Sequence, residues 1–143
     1  MNEIITKSPK ETAALGKIIA EELQGGEIIG LIGDLGTGKT CFVQGLAKGL
    51  KIKNIVNSPT FVIMKVYKNK QKPTLSLCHI DAYRLKSAND LKAIGALEYF
   101  KDKQTITIIE WADKIKTSLP KKTQFIEFKH LDNNLRQIKI VSV

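Results

Sequence analysis

The stretch Gly33-Asp34-Leu35-Gly36-Thr37-Gly38-Lys39-Thr40, GDLGTGKT, places three glycines, a lysine and a terminal hydroxyl within eight residues. It follows Ile28-Ile29-Gly30-Leu31-Ile32, an apolar run of strand length. It precedes Phe42, Val43, Leu46, Ala47 and Leu50, which recur on one helical stripe. The expected order is strand, tight loop, helix. With Gly33, Gly38, Lys39 and Thr40 at the fixed positions of G-x-x-x-x-G-K-[ST], this is a phosphate-loop pattern. The chemistry needs these residue types. Glycines lack a Cβ and let backbone N–H groups turn inward around an anion, and the following helix points its N-terminus at the same place. Lys39 adds a cation for the terminal phosphates, and Thr40 a hydroxyl for magnesium, so the cofactors expected are ATP and Mg2+. Cys41, next in line, reads as packing in the first helical turn and sits beside the nucleotide loop rather than acting as a nucleophile.

Upstream, Ser8-Pro9-Lys10-Glu11 has a cap residue, a proline for the first helical position and a glutamate at capping-box spacing. Leu15, Ile18, Ile19 and Leu23 follow at helical spacing, and Gly25-Gly26 ends that helix. Downstream, residues 61–68 and 75–80 read as two strands joined by NKQKP, short enough for an antiparallel hairpin. Residues 89–100 read as one or two short helices broken near Gly95. Thr105 to Ile109 is a β-branched run ending at Glu110-Trp111. The segments 124–128 and 137–143 flank HLDNNL, whose Asp132-Asn133-Asn134 tolerates turn geometry, and form a second hairpin. Two hairpins exclude a purely parallel sheet. The fold expected is α/β: a single P-loop NTPase-like domain over residues 1–143, with a mixed parallel/antiparallel sheet flanked by helices.

Composition narrows the class without choosing the function. At 143 residues the chain is one domain with one core. Its net charge of +9 favours acidic partners or phosphates, yet only Arg84 and Arg136 of the 23 basic residues are arginines, so the charge is mostly solvated lysine. Residues 1–30 carry three lysines and five glutamates, so the positive charge lies in the remainder. Lys65, Lys68, Lys70 and Lys72 around the first hairpin fit the protection of a sheet edge or a docking role. Two cysteines and two histidines fall at no zinc-ligand spacing. The first residues lack a signal-peptide pattern and no apolar run approaches the roughly 18 residues of a membrane span, so a cytoplasmic location without membrane contact is expected.

A phosphate loop needs an acid at the end of a neighbouring strand to hold magnesium, directly or through water. Asp81 and Glu110 are the two acids that end apolar strands, although each residue type also serves as a helix cap or a surface carboxylate. His79 lies two positions before Asp81 and so on the same strand face, where it fits a structural or a site role. Trp111 fits a nucleotide cover, a partner contact or the core.

Four motifs in this order, GDLGTGKT, SPTF at 58–61, HIDAYRL at 79–85 and IIEWADKI at 108–115, resemble the bacterial TsaE (YjeE) family. These are P-loop ATPases needed for N6-threonylcarbamoyladenosine (t6A) in ANN-decoding tRNAs. The resemblance implies that Gly36, Thr37, Gly38, Lys39 and Thr40 wrap the triphosphate, with Gly33 opening the loop. It implies Thr40 and Glu110 as magnesium ligands and Asp81 as a second essential acid near the γ-phosphate or the metal's water shell. Lys39, Asp81 and Glu110 form the catalytic set. Thr60 would approach the phosphates as a switch-like element, Trp111 would stand beside the nucleotide, and Ser8 and Arg136 would line the adenine. The implied partners are TsaD and TsaB, with tRNA reached through their complex and the chain alone a monomer. ATP hydrolysis would be slow alone, would rise on binding, and would reset that complex.

Three rival readings fit less well. A small-molecule P-loop kinase usually closes several arginines over the transferred group, and this chain has two. A GTPase would carry N-K-x-D, whereas Asn69-Lys70-Gln71-Lys72 ends in lysine. An RNA-binding module would interleave aromatic residues with its basic ones.

Overall fold

The structure is a computed structural model that describes residues 2–34, 36–53, 63–68 and 75–141. Thr60, the SPTF motif, the NKQKP turn and Lys70 and Lys72 lie outside the described residues. Seven strands form one sheet: β1 (Asn2–Thr6), β2 (Ile28–Ile32), β3 (Met64–Lys68), β4 (Ser76–Asp81), β5 (Thr105–Glu110), β6 (Gln124–His130) and β7 (Arg136–Val141). Their spatial order is β1-β7-β6-β2-β5-β4-β3. The inner four, β6, β2, β5 and β4, run parallel, and antiparallel strands complete both sides. This is the expected mixed sheet. Both expected hairpins pair antiparallel, as β3 with β4 and β6 with β7.

The two central strands, β2 and β5, are buried along almost their whole length because both faces of the sheet are covered there. All six residues of β5 are buried. One face takes α1 (Pro9–Glu22) and α2 (Lys39–Gly49), which close over Ile29, Leu31, Ile106 and Ile108 with Phe42 and Leu46. The other face takes α3 (Ala88–Ala93), α4 (Ala96–Lys101) and a 3-10 segment, Ala112–Ser118, which close over Ile28, Ile80 and Ile109 with Leu91, Phe100 and Ile115. The expected break at Gly95 separates α3 from α4, and this pair carries the chain from β4 to its parallel neighbour β5.

Helix α1 begins as its sequence dictates. Ser8 Oγ accepts the Glu11 N–H at 3.1 Å, with Pro9 in the first turn. Helix α2 begins differently: its cap is Gly38, left-handed at φ 101°, and no side chain caps it. Its first N–H groups are therefore left for a partner other than a side chain.

The two helices pack through small residues. A Cβ on Gly16 would stand 2.2 Å from the Phe42 carbonyl oxygen, one on Gly45 1.8 Å from the Ala13 carbonyl oxygen, and one on Gly49 2.5 Å from the Ala20 Cβ. This close approach draws the start of α1 against the loop ahead of α2.

Burial also separates the two thiols. Cys78, inside the sheet, has its thiol pushed up to about 12, whereas Cys41 is half-buried. At pH 8, Ellman's reagent is expected to modify Cys41 promptly and Cys78 only after unfolding. A folded-state value above the ordinary 9.0 carries stability that is complete below about pH 9 and is lost as pH rises toward about 12.

Candidate nucleotide site

In a largely parallel sheet, ligands gather where the strands end at their carboxyl termini. Here β2 runs into the glycine loop, β4 ends at Asp81, and β5 ends at Glu110. The register sets Asp81 directly beside Glu110 on adjacent parallel strands, so both carboxylates leave the same face at the same height. That face carries α2, whose N-terminus starts at Lys39.

The loop is held from within. Thr37 Oγ1 donates to the Asp34 carbonyl at 2.6 Å, and Lys39 Nζ donates to the Gly33 carbonyl. Gly36 and Gly38 adopt left-handed φ of 78° and 101°. A Cβ added at Gly36 would meet nothing within 4 Å, and one at Gly38 would stand 3.0 Å from Arg136 Cδ and 3.3 Å from Thr12 Cγ2. The loop thus curls around open space on one side and rests on β7 and α1 on the other.

Trp111, immediately after Glu110, takes a left-handed φ of 58° and opens the 3-10 segment. This costly backbone state for a bulky side chain aims the indole back over the loop. Lys39 Nζ lies 3.6 Å from the ring centroid, and Tyr83 meets the indole edge-on at 5.1 Å. Burial lowers the Lys39 pKa, and the carboxylates of Glu110, Asp113, Asp81 and Asp34, in that order, oppose the shift.

Both acids are pinned. Asp81 Oδ1 accepts the Tyr83 N–H at 2.9 Å, and Glu110, 4% exposed, has Oε2 2.6 Å from His79 Nε2. Arg136, the first residue of β7, has a buried Nε without a hydrogen-bond partner among the described residues.

These groups surround a hollow of about 720 Å³. Of the residues expected from sequence, Gly36, Gly38, Lys39, Thr40, Cys41, Asp81, Glu110, Trp111 and Arg136 line it. Gly33 and Thr37 line an adjoining hollow of about 690 Å³ that shares Gly36 and Trp111. Ser8 is not among the lining residues; it caps α1, whose Thr12 approaches Gly38 one turn later.

Sequence reasoning missed Tyr83 and Arg84, which line the larger hollow. They stand two and three positions after Asp81, where the chain must leave the strand end along the rim, and that offset was the available signal. It also missed Thr12, whose nearness to Gly38 depends on the glycine packing of α1 on α2.

The arrangement fits a magnesium nucleotide. A left-handed Gly36 lining the hollow, an uncapped helix N-terminus and an unpartnered Arg136 Nε favour an anion. No cluster of three or more His, Cys, Asp or Glu suited to a metal occurs among the described residues. A magnesium ion that takes few protein oxygens and completes its shell with phosphate and water suits this donor set. No helix among the described residues is long and apolar enough to cross a membrane.

Comparison with known proteins identifies the family and the fold. Residues 6–138 match the profile of the family described as "Threonylcarbamoyl adenosine biosynthesis protein TsaE". The chain is 39% identical over 138 residues to the "tRNA threonylcarbamoyladenosine biosynthesis protein TsaE" of Bacillus subtilis, covering 96% of this chain and 84% of that protein. It is 37% identical to the protein of the same name from Treponema pallidum, over 95% and 97% of the two chains. The crystal structure of YdiB from Bacillus subtilis superposes with a TM-score of 0.82 at 34% identity, covering 99% of this chain and 85% of that one. A shared profile over nearly the whole chain, and the same fold at this level of identity, mean that the chain belongs to the TsaE family.

Proposed function

We propose that this chain is a single-domain ATPase that binds Mg-ATP in the larger hollow and supports t6A formation in tRNA by acting on a TsaB–TsaD complex. The relatives named above are t6A biosynthesis proteins, which supplies the pathway. The observation that carries the ATPase reading is the side-by-side placement of Asp81 and Glu110 on the face that meets Lys39.

In this reading the amides of Gly36 to Thr40 and the Lys39 ammonium hold the β- and γ-phosphates. Thr40 and Glu110 hold Mg2+, and Asp81 acts near the γ-phosphate or the metal's water shell. Magnesium, when bound, neutralises charge on the phosphate oxygens. Arg136 serves the adenine side, with Ser8 contributing only by capping the start of α1; Trp111 stands beside the nucleotide, and Cys41 along the first turn of α2. In the same reading Thr60, which lies outside the described residues, has a switch-like role toward the phosphates. The work is done in the cytoplasm by a monomer that meets tRNA through its partners.

Lys39 sits buried on its own loop carbonyl and on Trp111, so an isolated chain begins from an arrangement that must be rebuilt before turnover. With this starting point we expect slow hydrolysis by the chain alone and faster hydrolysis with partners. The test is the steady-state ATPase rate with and without TsaB, TsaD and tRNA. A rise of about tenfold or more supports the reading, and an unchanged rate contradicts the coupling.

A further inference from the structure

His79 is 0% exposed, and it shares its sheet face with the core residues Leu77, Ile106 and Ile108. A polar ring in such a place costs free energy unless it makes a bond that matters. It makes one among the described residues, Nε2 to Glu110 Oε2 at 2.6 Å, while Nδ1 is buried without a hydrogen-bond partner.

This one-sided bonding selects a tautomer. With the proton on Nε2, the ring donates to the carboxylate and leaves only a lone pair bare at Nδ1. With the proton on Nδ1, two acceptors would face each other at 2.6 Å and a buried N–H would stand unpaired.

We propose that His79 is a positioning residue: its Nε2–H holds Glu110 Oε2 and thereby commits the other oxygen, Oε1, to the hollow. The inference rests on the reading of Glu110 as a magnesium ligand. A free glutamate turns about three side-chain bonds, and each wrong orientation must be undone on binding. A carboxylate fixed by a buried donor is already oriented, the role that outer-shell hydrogen bonds play at metal sites generally. The register explains why position 79 serves. Residues 79 and 81 share the face of Ile108 and Glu110, so the ring lies beneath the carboxylates, on the side away from the phosphate loop. Asp81 has its own fixed oxygen through the Tyr83 N–H, so both acids present one committed oxygen each.

The test uses the full chain in its ADP complex, titrated with Mg2+ by calorimetry. His79→Leu is expected to weaken Mg2+ binding about 10- to 100-fold, while ADP affinity in EDTA stays within about twofold. His79→Gln, whose amide N–H reaches toward the Nε2 position, is expected to recover most of the loss, which a purely space-filling role would not produce. A folded His79→Leu chain that binds Mg2+ like the parent overturns the inference. Wild-type protein with no Mg2+ response at all overturns the reading of Glu110, and this inference with it. Should the leucine variant fail to fold, long-range 1H–15N correlation on the wild-type histidines decides: an Nε2–H tautomer at His79 supports the proposal, and an Nδ1–H tautomer overturns it.

Discussion

Replacing Lys39 with alanine is expected to reduce ATP turnover about 10²- to 10³-fold, the scale seen when one preorganised charge-stabilising donor is removed from an active site, while the thermal midpoint stays level or rises. The two halves of this result have one cause. Lys39 is 5% exposed, and burial lowers its pKa, so the folded chain carries an ammonium group that would be better solvated outside. Nearby carboxylates, Glu110 first, repay part of that cost. Removing the amine relieves the desolvation and costs the hydrogen bond to the Gly33 carbonyl and the contact with Trp111. The site thus holds a group that serves phosphate binding at some expense to the fold, a common trade at functional positions. Steady-state kinetics and a thermal melt on the same preparation check both halves. Turnover near the parental rate would contradict the reading of the loop. Because Lys39 and Glu110 act on the same charge, the double variant is expected to lose little more than either single one.

Gly45→Val is expected to cost about 3 kcal/mol or more, the upper end of overpacking penalties. For a chain of this length that lowers the melting midpoint by roughly 6–12 °C. A Cβ at position 45 would lie 1.8 Å from the Ala13 carbonyl oxygen, a backbone atom that can move only if α1 moves as a whole. Such a shift would also pull Thr12 from Gly38 and so disturb the loop, so ATP binding should weaken together with stability. Differential scanning calorimetry of Gly45→Ala and Gly45→Val should show a graded fall. A parental melting point in the valine variant would mean that the helices do not approach this closely.

These two positions also mark what the sequence reveals. The loop around Lys39 was legible because its chemistry demands particular residues at fixed spacing. Asp81 and Glu110 were legible because an acid that ends an apolar strand interrupts an otherwise continuous pattern. Gly45 was not, since a glycine inside a helical stripe reads as a local cost, and its benefit appears only when Ala13 of another helix lies against it.

Strand β1 was missed for a related reason. Asn2–Thr6 is a short edge strand with weak alternation, and its partner β7 lies at the far end of the chain. The 3-10 segment Ala112–Ser118 was also missed, because its start depends on the left-handed Trp111, which no propensity favours. For His79 the strand face was legible from its spacing to Asp81, but its bond to Glu110 depends on the β4–β5 register, which a single sequence does not reveal.

The central claim is that the glycine loop and the two strand-ending acids grip one magnesium nucleotide between them. A crystal structure with Mg2+ and a non-hydrolysable ATP analogue tests it most directly. The account predicts the β-phosphate against the amides of Gly36 to Thr40, the metal on Thr40 Oγ1 and Glu110, and Asp81 on the same side of the nucleotide. A nucleotide bound elsewhere, or a metal remote from both carboxylates, would contradict it.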